Sequence, residues 1–119
     1  MTGSATPDTL FQEGTDLLAA GSAHQAAQAF RAAIAMDPAH VDAHHGLVRA
    51  LRDASQFNQS VAAAMALTVL TPNDPLAHTA LAISLQHAGH VPQAEAASAR
   101  ARILEWKQQL AIPDEDAAP

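Results

Sequence analysis

The chain has 119 residues, 15% of them charged, and a formal net charge of -6 with its seven histidines neutral. That length suits one domain with a modest core, and the negative balance leaves no general attraction to nucleic acid or acidic lipid. Cysteine is absent, which excludes disulfides and thiolate metal sites, and an alanine-rich composition with no tyrosine, three phenylalanines and one tryptophan favours helices packed through small side chains.

Residues 1–6 read as a disordered leader. They lack a basic segment followed by an apolar one, and no apolar run approaches the roughly 18 residues of a membrane span, so a soluble, cytoplasmic protein is expected. Thr6-Pro7 then opens a first helix, because a capping hydroxyl stands before a proline whose missing N–H costs nothing at the first helical position. Gly21 closes it, since glycine accepts the left-handed backbone of a helix end. A second helix starts near Ser22 and stops before Pro38. The stretch after Asp37-Pro38 opens a third helix that carries the adjacent pair His44 and His45. It ends near Ser55, the least defined boundary, and a fourth helix runs from near Phe57 to just before Pro72. Asp74-Pro75 repeats the opening signal for a fifth helix closed by Gly89, and Pro92 starts a sixth that continues to about Leu110. Residues 111–119, "AIPDEDAAP", read as an acidic, disordered tail with nothing to bury.

Pro38 and Pro72 are 34 residues apart, and the whole chain aligns on that period as three copies, residues 7–40, 41–74 and 75–108. Each copy is helix, turn, helix. Residues 7–110 therefore form a single domain of six helices. The first copy has Leu10, Gly14, Leu17, Gly21, Ala26, Phe30, Ala33 and Pro38, and the third has Leu81, Ala82, Leu85, Gly89, Ala94 and Ala101 at corresponding places. This pattern resembles the tetratricopeptide repeat, in the form of a short, free-standing bacterial protein with three repeats. The small residues are needed because the two helices of a copy approach closely and then receive the first helix of the next copy. The middle copy departs from the pattern: Val48 replaces the small residue, Ser55 the turn glycine, and Ser60 and Leu67 two alanines. Gly46 and Ala64 are smaller than usual nearby, so volume is expected to be redistributed rather than lost.

The resemblance implies an all-α solenoid, a right-handed superhelix of three hairpins, whose first helices line a concave groove that binds peptides or helices of partner proteins. Carried across by position, the groove residues are Phe11, Gln12 and Thr15 in the first copy, Asp42, His45, Arg49 and Arg52 in the second, and Leu76, Thr79, Ile83 and His87 in the third. Some relatives hold the C-terminal carboxylate of heat-shock chaperones with basic and amide side chains. The matching positions here are Phe11, Thr15, Gly46, Leu76 and Ala80, none able to donate a charged hydrogen bond, so that specificity is not implied. His45, Arg49 and Arg52 share one helix face by their spacings of four and three, and could together hold a carboxylate or phosphate. The plainer reading pairs Arg49 with Asp53 one turn on and leaves Arg52 solvated.

The histidines offer no metal site. His40 and His44 stand one turn apart, but zinc needs three or four converging ligands, and nothing supplies a third. His44 and His78 occupy the same repeat position, so packing with one ring nitrogen hydrogen-bonded is expected of both. His45 points about 100° round the helix, toward the groove. No glycine-rich phosphate loop, nucleophile elbow or HExxH is present, so neither an enzyme nor a cofactor is expected.

Trp106 stands where a closing proline would fall in the third copy. Ile103, Leu104, Trp106 and Leu110 must either fold back over the third copy's core or meet another chain. The sequence thus reads as a non-enzymatic adaptor for a protein or peptide, recognised in part through an acidic or C-terminal group. The alternatives are a homo-oligomeric scaffold joined through Ile103, Trp106 and Leu110, and a chaperone for secreted proteins, which would ordinarily carry a further helical segment before the first repeat.

Overall fold

The computed structural model describes residues 5–117, with side chains to Ala111. Residues 1–4 of the expected leader and 118–119 of the expected tail lie outside the described residues. Six helices follow in order: α1 Pro7–Ala19, α2 Ala23–Met36, α3 Val41–Asp53, α4 Phe57–Leu70, α5 Pro75–His87 and α6 Val91–Ala117. Among the described residues there is no strand, and no helix is long and apolar enough to cross a membrane.

Each hairpin turns by the same hydrogen-bond pattern. After α1, the N–H of Gly21 donates to the Leu18 carbonyl and that of Ser22 to Leu17. Ser55 and Gln56 repeat this toward Arg52 and Leu51, and Gly89 and His90 toward Gln86 and Leu85. Such a turn requires a left-handed residue. Gly21 at φ 83° and Gly89 at φ 86° supply it without strain, whereas Ser55 is held there at φ 60° with a side chain in place. The hairpin closes by the same hydrogen bonds with serine in the place of glycine.

The helix starts differ more than the turns. Thr6 and Thr9 cap α1 reciprocally, side chain to backbone in both directions, and Asp74 accepts from the Leu76 N–H at the start of α5. The cap of α3 is His40, whose Nδ1 accepts from the Ala43 N–H at 3.0 Å. Its Nε2 lies 3.0 Å from Asp8 Oδ1 on α1. One imidazole therefore both starts α3 and ties it to the first hairpin.

Successive helices pack antiparallel, and α3 also touches α1 as α5 touches α3, which stacks the hairpins into a helical solenoid. The core runs through it as three apolar clusters in series. The first centres on Phe30, whose ring lies between Gly14 of α1 and Gly46 of α3; a Cβ on either would come within 3 Å of it. The space at Gly46 is thus taken by the largest side chain of the first repeat rather than by Val48 or Leu67 of its own. At the next junction the buried Ser60 hydroxyl lies 3.1 Å from the Val48 carbonyl and 2.6 Å from Ser84 Oγ, joining α3, α4 and α5 through one polar contact.

At the C-terminus the helix runs on to Ala117 instead of ending near Leu110, since no glycine stops it. It packs only on α5 among the described residues. Ala94, Ala97, Ala101 and Leu104 form its buried face. Of the four apolar residues near the end of the third copy, Leu104 is buried. Ile103, Trp106 and Leu110 are not: they point away from that face and remain exposed, because 100° per residue puts them on the opposite side of the helix.

Candidate partner-binding groove

A cleft lies between α3 and α5, the first helices of the second and third hairpins. Asp42, His45, Val48, Arg49 and Arg52 from α3 line it with Leu76, Thr79, Ala80 and Ile83 from α5, around a cavity of about 380 Å³. Asp42, His45, Arg49 and Arg52 fall on one face because they repeat at three and four residues, with Val48 beneath them at the core boundary. On α5, Leu76, Thr79 and Ile83 do the same. Leu76 is 65% exposed and Ile83 40%, so two large apolar side chains stand in the cleft without cover.

The charged groups along α3 are not equivalent. Arg49 Nε lies 3.9 Å from Asp53 Oδ2, a long pair between exposed side chains that contributes little. Arg52 is half-buried, and among the described residues no carboxylate oxygen lies within 4.0 Å of its guanidinium. Burial chiefly, and Arg49 next to it, lower its pKa, with Asp53 acting in the opposite sense. Arg49 thus pairs as the plainer reading expects, and Arg52 is partly covered and without a carboxylate in reach among the described residues. His45 is also half-buried, and burial is the main cause of its lowered pKa; Asp74 and Asp42 oppose that shift and the adjacent His44 adds to it. A neutral imidazole and a cationic fork thus stand on one wall, opposite an apolar one.

Other residues assigned to the groove by position do not line this cleft. Phe11 is half-buried against Phe30 and His40, at ring separations of 5.9 and 5.3 Å, so it serves the first core. Gln12 bonds Asp16 one turn on, in a shallow depression along α1, and Thr15 returns its hydroxyl to the Phe11 carbonyl. His87 stacks on Phe57 at 5.3 Å and borders a separate depression that shares Thr79 and Ile83 with the cleft. Ala80 lines the cleft as its repeat position implies, whereas Val48 was visible in sequence only as a departure from the repeat.

The histidines on the outer side behave as packing elements. His44 Nε2 donates to the Pro38 carbonyl and His78 Nε2 to Pro72, both at 2.8 Å, 34 residues apart in one repeat position. A carbonyl only accepts, so Nε2 carries the proton in each. No group of three or more histidines and carboxylates that could hold a metal ion occurs among the described residues.

The tetratricopeptide repeat family's sequence profile matches residues 17–83, more than half of the chain. This chain belongs to the tetratricopeptide repeat family. No curated protein matches it in sequence. Among solved structures, this repeat protein is similar to a chain of the CopN–Scc3 complex (TM-score 0.76, 20% identity, 82% of this chain and 58% of that one). It is similar to the Yersinia enterocolitica type III secretion chaperone SycD in complex with a peptide of the translocator YopD (TM-score 0.76, 18% identity, 91% of this chain and 86% of that one). A third likeness is to MamA (TM-score 0.83, 16% identity, 90% of this chain and 63% of that one). The tetratricopeptide chain thus spans less than two thirds of two of these three proteins, and at such identities the likeness is one of fold.

Proposed function

We propose that this tetratricopeptide protein is a non-enzymatic recognition module whose cleft between α3 and α5 holds an extended or helical segment of a partner protein. Leu76 and Ile83 contribute apolar contact, and Arg52, assisted by His45 and Arg49, orients an acidic side chain or C-terminal carboxylate. The observation that carries this reading is the half-buried Arg52 guanidinium without a close carboxylate, set opposite uncovered apolar side chains. Partly desolvated cations gain most from a bidentate carboxylate. Structural relatives solved with a bound peptide support the same class of work.

A displayed peptide library selected on the protein supplies the probe. Selected peptides should carry an apolar residue beside an acidic or terminal carboxylate. Amidating that carboxylate, or replacing Arg52 by alanine in the folded protein, should each weaken binding about tenfold, the loss of roughly one charged hydrogen bond. Binding indifferent to both changes rejects the anion-orienting role. Selection of peptides whose affinity ignores Leu76→Ser and Ile83→Ser rejects the cleft itself.

A chaperone for secreted proteins is the second reading, favoured by the match to SycD over most of both chains. It predicts that stoichiometric amounts of the protein keep an unfolded secreted client soluble. An adaptor binds its partner folded and leaves that aggregation unchanged.

A further inference from the structure

The side of α6 turned away from α5 carries an apolar stripe that no other described residue covers. Ala99, Ile103, Trp106 and Leu110 repeat at four, three and four residues and so share one face. Trp106 is 61% exposed, Leu110 49% and Ile103 44%. This face lies opposite the buried one formed by Ala94, Ala97, Ala101 and Leu104, so no rotation within the hairpin can hide both.

Continuation of the solenoid does not explain the stripe. A fourth hairpin would pack where α3 packs on α2, against positions 27, 30 and 34, which in the first repeat are Ala27, Phe30 and Ile34. Two periods later those positions hold Glu95, Ser98 and Arg102, and Glu105 continues the row. That side of α6 is polar, as the outer side of a terminal repeat must be. The apolar side faces elsewhere.

The charges along α6 say what fits it. Arg100, Arg102 and Lys107 are three of the chain's six basic residues and stand within eight positions, with Glu105 the acid among them. Asp114, Glu115 and Asp116 follow on the same helical run, which reaches Ala117. A helix basic in one segment and acidic in the next is complementary to its own copy run in reverse, while a parallel pair would set like charges together.

We propose that two copies of this chain pair through antiparallel α6 helices along this stripe. With Ile103 opposite the second copy's Leu110, Trp106 lies beside its symmetry mate. The contact is isologous, so it closes as a dimer and leaves both clefts free. One helix pair buries well under the roughly 800 Å² per partner of a standard interface, so the dimer is weak and concentration-dependent. The proposal does not rest on the reading of the cleft, whose peptide assay is separate.

The test is sedimentation of the full chain from about 1 µM to about 1 mM, the range of weak association. The expected result is a mass rising from the 12.4 kDa of one chain toward twice that value. Emission of the single tryptophan should shift to the blue in parallel. Trp106→Glu and, separately, Leu110→Glu should each weaken association at least tenfold, with helical circular dichroism unchanged because both sites are exposed. Since the chain has no cysteine, mixing Ile103→Cys with Leu110→Cys reports orientation: cross-links between the two variants are expected, and Ile103→Cys cross-linked to itself overturns the antiparallel arrangement. A mass constant at 12.4 kDa overturns the dimer. A rising mass that neither glutamate variant affects overturns this surface as its seat.

Discussion

Phe30 and Gly46 are fitted to each other across the first repeat boundary: a Cβ built on Gly46 would stand 2.5 Å from the Phe30 ring. Phe30 is buried and also faces Gly14 at 2.7 Å from a Cβ built there, so the ring cannot swing aside. Alanine at an ordinary helical position gains about 1 kcal/mol over glycine, but overpacking a filled core costs about 1–3 kcal/mol. Gly46→Ala should therefore lower the unfolding free energy in urea by roughly 1 kcal/mol. In a Phe30→Leu background the same change should be neutral or stabilising, and equal losses in both backgrounds would show that the ring is not the obstacle.

The turn between α3 and α4 holds a side chain where the other two hairpins have glycine. Ser55 occupies the left-handed region at φ 60°, where its equivalents are Gly21 and Gly89. A side chain there costs about 1–2 kcal/mol, offset in part by the greater freedom glycine has when unfolded. Ser55→Gly should stabilise the protein by about 0.5–1 kcal/mol, read as a raised midpoint in thermal unfolding. Gly21→Ser should do the reverse.

The buried hydroxyls of Ser60 and Ser84 should respond unequally. The Val48 carbonyl can only accept, so Ser60 donates to it and Ser84 donates to Ser60. Ser60→Ala strips two partners at once and should cost about 1–2 kcal/mol, while Ser84→Ala leaves the Ser60–Val48 bond intact and should cost less. A double-mutant cycle by chemical denaturation measures the coupling; simple additivity of the two losses would reject this network.

His45 makes stability depend on pH in a defined sense. Its pKa in the folded protein lies below the ordinary 6.5, mainly through burial. The unfolded chain then binds the proton more readily, so this group's contribution to stability is intact above pH 6.5 and declines as pH falls through that value toward the folded pKa. Replacing His45 by glutamine should flatten that part of the profile. In nuclear magnetic resonance titration the His45 ring should show a midpoint below 6.5, and a bound carboxylate in the cleft should raise it.

Residues that act locally were readable in advance. The period of 34, the caps at Thr6 and Asp74, the left-handed turns and the paired roles of His44 and His78 all depend on neighbours a few positions away, which the order of residues supplies directly. His40 escaped notice as a cap because histidine is an unusual one, chosen here by the Asp8 carboxylate from another helix. Phe11 was assigned to the groove by repeat position, yet its ring turned to Phe30, for the space beside it exists only once α2 has docked.

What the sequence by itself determined, then, is the number of hairpins, their turns and the small residues that let them stack, because helical period, glycine and proline act within a single hairpin. Only the tertiary structure decided that Arg52 is half-buried and set apart from carboxylates, that Ser60 meets Ser84, and that Trp106 faces away from its own core. Each of these depends on the rotation of one helix about its axis relative to the next, a quantity set by close packing across the whole stack and by no local signal.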